Sequence, residues 1–265
     1  MVSTGHDPMC RLLGMIGSSP LPAQDVLNAF YPLCTEGCVE KGMTPGHLDG
    51  WGASGFKDGR AVYFARSTEP ADESKKEYDE AMERVRKSDS PVVIAHFRKT
   101  SGAPPVISNT HPFHWRDWIF AHEGTIFGAE ASLPLNETAP IGETDSERLF
   151  LWIWEEVHAT ADPTAALAAL LKKAREQLVY SSLNFLMSNG QTLWAYRDFS
   201  DKRMGKGETP GERERYYSLS TAQAGSCAIV CSEPLEKAAK KWTSLEPHTL
   251  AAFMIGAPAP RIIVV

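Results

Sequence analysis

Cys10 directly follows Met9 and opens the apolar run Arg11-Leu12-Leu13-Gly14. A chain that begins at such a cysteine carries a thiol and a free α-amine on one Cα. That amine, with a reference pKa of about 7.7–8.0 against about 10.4 for a lysine, can act as a base near neutral pH. The thiolate is the reactive form of cysteine, and an adjacent base is the usual way to make one. A strand-initial Cys10 would therefore supply nucleophile and base together. While residues 1–9 are attached, its nitrogen is an amide and no base at all. The expectation is that residues 1–9 are an extension, removed as a short propeptide or never translated if synthesis starts at Met9. Residues 10–265 are expected to form one domain. The segment before Cys10 has no basic n-region and no apolar h-region, so it does not read as a signal peptide.

Further polar motifs could converge on that cysteine from strand ends. They are His47-Leu48-Asp49-Gly50-Trp51-Gly52, His96-Phe97-Arg98-Lys99-Thr100-Ser101-Gly102, His122-Glu123-Gly124-Thr125-Ile126 and Glu143-Thr144-Asp145-Ser146-Glu147. Taken singly each has a bland explanation: a turn, a strand-end salt bridge, a strand end, a helix cap. The last reads as a capping box, with Thr144 bonding a first-turn amide while Glu147 reaches back. His96, His111, His114 and His122 show no close helical ligand pair, so they read as core or loop-ordering histidines rather than a metal site. Cys34-x-x-x-Cys38 and Cys227-x-x-x-Cys231 could be imagined as a zinc site. The second pair, however, lies in a strand-like run that would hold its thiols roughly 13 Å apart. No metal and no cofactor is expected.

The elements that must position these residues are legible as hydrophobic periodicity. Residues 10–17 and Pro91–Arg98 read as strands, and Trp118–His122 as another. Lys57-Asp58-Gly59-Arg60 joins two strands as a hairpin, and Asn189-Gly190 joins Asn184–Ser188 to Gln191–Tyr196. Helices are expected over Pro22–Leu33, Glu73–Lys87, Thr144–Val157, Pro163–Gln177 and Pro234–Trp242. Asp198–Arg215, glycine-rich and charged, reads as a mobile surface loop. Tyr216–Ser220, Cys227–Ser232, Leu250–Ile255 and Ile262–Val265 read as strands. Hairpins with interspersed helices suggest an α+β fold with mostly antiparallel sheets.

A chain of 265 residues, 43% apolar and 23% charged, can bury a full core. Its net charge of −6 argues against nucleic acid as the main partner. No apolar run approaches the ~18–20 residues that cross a bilayer. An odd count of 5 cysteines fits a reducing compartment, and a cytoplasmic location is expected.

The motifs taken together resemble the class II glutamine amidotransferases, whose nucleophile is an N-terminal cysteine. Met9–Gly14, Asp49–Gly52 and Ser232-Glu233-Pro234-Leu235 are similar to the stand-alone branch, which includes γ-glutamyl hydrolases of ergothioneine and glutathione metabolism. The resemblance runs from Cys10 to about residue 255. It implies a four-layer αββα sandwich of two antiparallel sheets, and Cys10-dependent cleavage of glutamine or a γ-glutamyl conjugate through a γ-glutamyl thioester. It also implies a role for each matching residue. Arg98 would hold the substrate α-carboxylate, Asp145 its α-ammonium, and the Gly124 backbone N–H the developing oxyanion. On the same grounds Thr100, Gly50 and Trp51 are expected on the substrate side of the pocket. The expected partners are the small-molecule substrate and a separate synthase or acceptor protein.

Glu123 departs from the family pattern, which has an asparagine whose amide donates to the oxyanion. An ionised glutamate has no donor to offer, and losing one such donor typically costs about 10²–10³ in rate. Glu123 could be protonated and donate as an acid, or turn away and leave the work to Gly124 and a water. Alternatively the chain is a catalytically weakened binding or scaffold protein of the same fold.

Overall fold

The computed structural model describes residues 10–18, 20–39, 43–100, 102–200 and 209–265. The extension at 1–9, Ser101 of the Arg98 motif and 201–208 of the expected surface loop lie outside them.

Two large antiparallel sheets stack face to face. The first contains β1 (Arg11–Gly17), β2 (Trp51–Lys57), β3 (Arg60–Ser67), β4 (Val92–Phe97), β11 (Ser220–Ala224), β12 (Cys227–Cys231) and β13 (Trp242–Ser244). Its spatial order is β13-β11-β12-β1-β4-β2-β3, which puts the strand after Cys10 at the centre. The second contains β5 (Phe113–Trp115), β6 (Trp118–Glu123), β9 (Asn184–Ser188), β10 (Thr192–Arg197), β14 (Thr249–Met254) and β15 (Arg261–Val264), in the order β15-β14-β10-β9-β6-β5. A short pair, β7 (Ile126–Phe127) with β8 (Val179–Tyr180), lies beside them.

Strand alternation sends each strand's side chains into two different layers. Leu12 and Ile16 of β1, Val92 and Ile94 of β4, and Ile119 and Ala121 of β6 pack between the sheets. Leu13, Met15, Val93, Ala95 and Phe97 face the other way, onto Val26, Leu27 and Phe30 of α1 (Ala23–Phe30) and Tyr78, Met82 and Val85 of α3 (Lys75–Lys87). On the far side Phe120, Phe185 and Trp194 meet Leu149, Phe150 and Ile153 of α5 (Asp145–Val157) and Leu167 and Leu171 of α6 (Pro163–Gln177). The result is the four-layer αββα sandwich implied by the resemblance.

The hairpin at Asp58-Gly59 forms with both residues at positive φ, as a two-residue turn of primed type requires. Elsewhere the structure corrects the expected elements. Asp198 does not begin a mobile surface loop: it is buried, accepting from the hydroxyls of Tyr180 and Tyr196. Residues Pro210–Tyr216 form a helix, α7, opened by a capping box between Thr209 and Glu212. Pro234–Trp242 is not helical either. The chain turns there, burying Leu235 and Ala239, and Trp242 joins β13 beside Ala222. An isolated stretch this short cannot nucleate a helix against such pairing. No helix among the described residues is long and apolar enough to cross a membrane.

Candidate active site

Cys10 immediately precedes β1, at the end of the space between the sheets, and is 7% exposed. Its Sγ lies 3.4 Å from the Lys99 backbone N, which donates to it, and 3.5 Å from the Lys99 carbonyl. Burial pushes the thiol pKa up to about 12. The Lys99 amide and the Arg98 and Arg11 guanidiniums pull it down, and Glu123 adds to the rise. A thiol so placed stays protonated unless a base sits beside it.

Cys10, Arg98, Thr100, Gly124 and Asp145 line one cavity of about 30 Å³. Each is delivered by a different device. Arg98 follows β4, and its backbone is held between partners: its N–H donates to the Gly50 carbonyl (2.8 Å) and its carbonyl accepts from Asp49 N (3.0 Å). Its guanidinium donates to the carbonyls of Ala103 (2.9 Å) and Pro104 (3.4 Å) and to Thr100 Oγ1 (3.2 Å). Thr100 N in turn donates to Asp49 Oδ2 at 2.8 Å. Gly124 sits at φ +145°, where a Cβ would stand 2.1 Å from the Ser182 carbonyl, so no side chain fits. Asp145 opens α5 and accepts from Ile126 N at 2.5 Å.

The cap of α5 differs from the expected box. Thr144 Oγ1 does accept from Glu147 N (3.1 Å), but the Glu147 carboxylate passes the cap and accepts from Ile141 N (3.0 Å) and Gly142 N (2.7 Å). It thereby ties the preceding loop down over the first turn.

Other expected residues stand elsewhere. Trp51 does not face the cavity: it is buried in the helix-side core, donating to Ser74 Oγ at 2.9 Å and edge-on to Tyr78. Gly50 acts through its backbone, at φ +114° with no room for a Cβ beside the Ser67 carbonyl. Glu123 is fully buried but does not line the cavity; it turns to the strand behind Cys10. There Arg11 Nη1 donates to Glu123 Oε1 (2.8 Å) and to the Cys10 carbonyl (2.6 Å), and Arg11 Nε to Glu233 Oε1 (2.6 Å). Asn184 and Ser232 donate to the other Glu123 oxygen at 3.3 and 3.4 Å. The late Ser232-Glu233 motif is thus a brace: Ser232 Oγ also accepts from Leu12 N (2.9 Å), and Glu233 from Cys38 N (2.7 Å).

His111, His122 and Ser146 also line the cavity, although by type the two histidines read as core or loop-ordering residues and Ser146 as part of a helix cap. His111 stacks on His96 with ring centroids 4.3 Å apart, and its carbonyl lies 2.3 Å from where a Cβ on Gly52 would be. Replacing Gly52 with alanine should therefore push the His111 segment outward at a cost of about 1–3 kcal/mol. A melting temperature unchanged in Gly52→Ala would contradict that close approach.

A family model for class-II glutamine amidotransferases matches residues 9–263. The chain belongs to that family. It is 30% identical over 204 residues to the Escherichia coli K12 protein named "Putative glutamine amidotransferase YafJ", covering 71% of this chain and 72% of that one. It is also 30% identical over 266 residues to an uncharacterized protein of Methanocaldococcus jannaschii, covering 94% of this chain and 70% of that one. Among solved structures, a glutamine aminotransferase class-II domain protein from Silicibacter pomeroyi superposes with a TM-score of 0.62 at 22% identity, over 96% of this chain and 99% of that one. The glutamine phosphoribosylpyrophosphate amidotransferase of Bacillus subtilis gives 0.64 at 14% identity, over 96% of this chain and 49% of that one. At these identities the structural likeness speaks for the fold alone, two stacked antiparallel sheets between helical layers. For a class II amidotransferase, the asparagine expected before Gly124 is absent and its place is taken by a carboxylate paired with Arg11.

Proposed function

We propose that this amidotransferase cleaves the γ-amide of glutamine or of a γ-glutamyl conjugate, with Cys10 as nucleophile. The observation that supports the reading best is that Cys10, Arg98, Thr100, Gly124 and Asp145 share one small cavity. Arg98 offers a planar fork to the substrate α-carboxylate, which would take the places now filled by the Ala103 and Pro104 carbonyls. Asp145 offers the α-ammonium a carboxylate.

In the reaction the Cys10 thiol proton passes, through a water, to the α-amine of a chain that starts at Cys10. The sulfur attacks the γ-carbonyl, and the Gly124 N–H faces the oxygen as it gains charge. The C–N bond then breaks, the proton leaves with ammonia or an amine, and a γ-glutamyl thioester remains. Water cleaves that thioester, giving glutamate and restoring the thiol. This chemistry needs a working chain that begins at Cys10, with the residues before it removed or never translated. Ammonia would go to solvent or to a separate synthase.

Treatment with a glutamine-like diazoketone should add one label, on Cys10, with L-glutamine protecting and D-glutamine not. Mass mapping of the label to another residue, or no label at all, would remove the basis for this reading. The engagement of Glu123 by Arg11 favours a second reading, a site that binds its ligand and turns over slowly. Labelling of Cys10 with weak steady-state ammonia release would select it.

A further inference from the structure

The outer edges of the two sheets are not equally guarded. β5 and β13 are 3 residues each, too short to template another strand. β3 carries Arg60 and Arg66, and its register against β2 shifts midway. β15 has none of these devices. It reads Arg261-Ile262-Ile263-Val264, with Pro258 and Pro260 falling before it. Its one charge is turned back to Asp162 at 2.9 Å. Ile262 is 51% and Val264 77% exposed.

The direction of backbone hydrogen bonds alternates along an antiparallel strand. Val265 N donates to the His248 carbonyl at 2.8 Å, so residue 265 bonds inward. With it go Ile263 and Arg261, which stand opposite Leu250 and Ala252 of β14. The N–H and C=O groups of Ile262 and Val264 therefore point away from β14, off the sheet. Side chains alternate as well. Ile262 shares a face with Ala251, which packs between the sheets, whereas Ile263 faces the core under α5 and α6. These two alternations make the strand complementary to itself. About a two-fold axis normal to the sheet at Ile263, Ile262 stands opposite Val264 of the second copy, and Val264 opposite its Ile262. Each such pair exchanges two N–H···O=C bonds and sets two exposed apolar side chains on one face. A slip of one residue sets outward groups against inward ones and forfeits the bonds. A second copy thus satisfies backbone and side chains at one register, where an unrelated peptide is matched to the backbone alone.

We infer that β15 pairs with β15 of a second copy of this chain, antiparallel and centred on Ile263, in a two-fold homodimer whose 6-stranded sheets run on as one. A surface of this size sits at the weak end of specific interfaces. The dimer should be populated at about 100 µM chain and largely dissociated by about 1 µM.

Sedimentation equilibrium of the full chain across that range reads the mass. Ile262→Lys adds a charge from each copy to the shared face. Val264→Pro removes an outward N–H and no bond to β14. Each should weaken association at least about tenfold and leave the melting temperature as in the parent. Cross-linking reads the register. Ile263 would stand opposite itself in a non-hydrogen-bonded pair, with Cα atoms about 4.5 Å apart, inside the range a disulfide spans. Under mild air oxidation at about 100 µM, Ile263→Cys should form a disulfide joining the two substituted positions, mapped by peptide mass. It should form several-fold faster than the corresponding link in Ile262→Cys or Val264→Cys, whose like positions do not face each other. A chain that stays monomeric at about 100 µM overturns the inference. So does a dimer untouched by both Ile262→Lys and Val264→Pro, or one that cross-links no better at 263 than at 262 and 264.

Discussion

A chain that keeps residues 1–9 should release ammonia from glutamine about 10²–10⁴-fold more slowly than one beginning at Cys10, the range a positioned general base contributes. The size of the effect follows from the thiol. Burial pushes its pKa up to about 12, so at neutral pH the sulfur stays protonated without help. The Lys99 N–H and the Arg98 and Arg11 charges each lower that value, and burial outweighs them. A free α-amine on the same residue, with reference pKa about 7.7–8.0, is a base held close enough to take the proton. The rate of the mature enzyme should accordingly rise with pH as that amine loses its own proton, and level off above it. The measurement pairs two preparations whose first residue is verified by intact mass, assayed over a pH series. Equal turnover by both would show that the nitrogen of Cys10 plays no part, and the mechanism would have to find another base.

Much of this site could be read from local pattern, and the part that could not depends on distant strands. Asp49-Gly50-Trp51-Gly52 stood out as a motif, yet its four residues do four different things. Asp49 orders Thr100, Gly50 supplies a carbonyl to Arg98, Trp51 fills the helix-side core and Gly52 makes way for His111. The placement of Trp51 follows from strand alternation: it shares a face with Ala53, opposite to Gly52. Alternation along β2 therefore carries the direction of Trp51, and the compactness of the motif hides it. Helix α7 was also legible, since Thr209-Pro210-Gly211-Glu212 is a capping box with proline at the first helical position. The density of charge around it suggested solvent instead, whereas Arg213 is buried against the Ser181 carbonyl. Glu123 belongs to another class. Its partners come from β1, β9 and the segment after β12, so no window of sequence around it contains the reason for its direction.

Arg11→Met should be the most destabilising single change near the site, by about 3–5 kcal/mol, because it leaves a buried carboxylate without its cation. Both side chains of the Arg11–Glu123 pair are fully buried, 2.8 Å apart. Removal of the other member is predicted to cost less. In Glu123→Gln the guanidinium still has Glu233 at 2.6 Å and the carbonyls of Cys10 and Cys38. The double variant Arg11→Met/Glu123→Gln should recover most of what Arg11→Met loses, since no fully buried charge is left unpaired; Glu233, which also loses Arg11, is partly exposed and keeps the Cys38 N–H. Denaturant unfolding of the three variants measures this directly, and a double variant no better than Arg11→Met would mean the two residues are not coupled. The pair also sets a pH dependence. Burial, working against Arg11, raises the Glu123 pKa above the ordinary carboxylate range. The folded chain then holds a proton that the unfolded chain has already released, and stability falls as pH rises through that window. Glu123→Gln should flatten the slope there. If the wild type instead gains stability over the same window and the variant does not, Arg11 outweighs burial, and Glu123 is a settled counter-ion for the strand that presents the nucleophile.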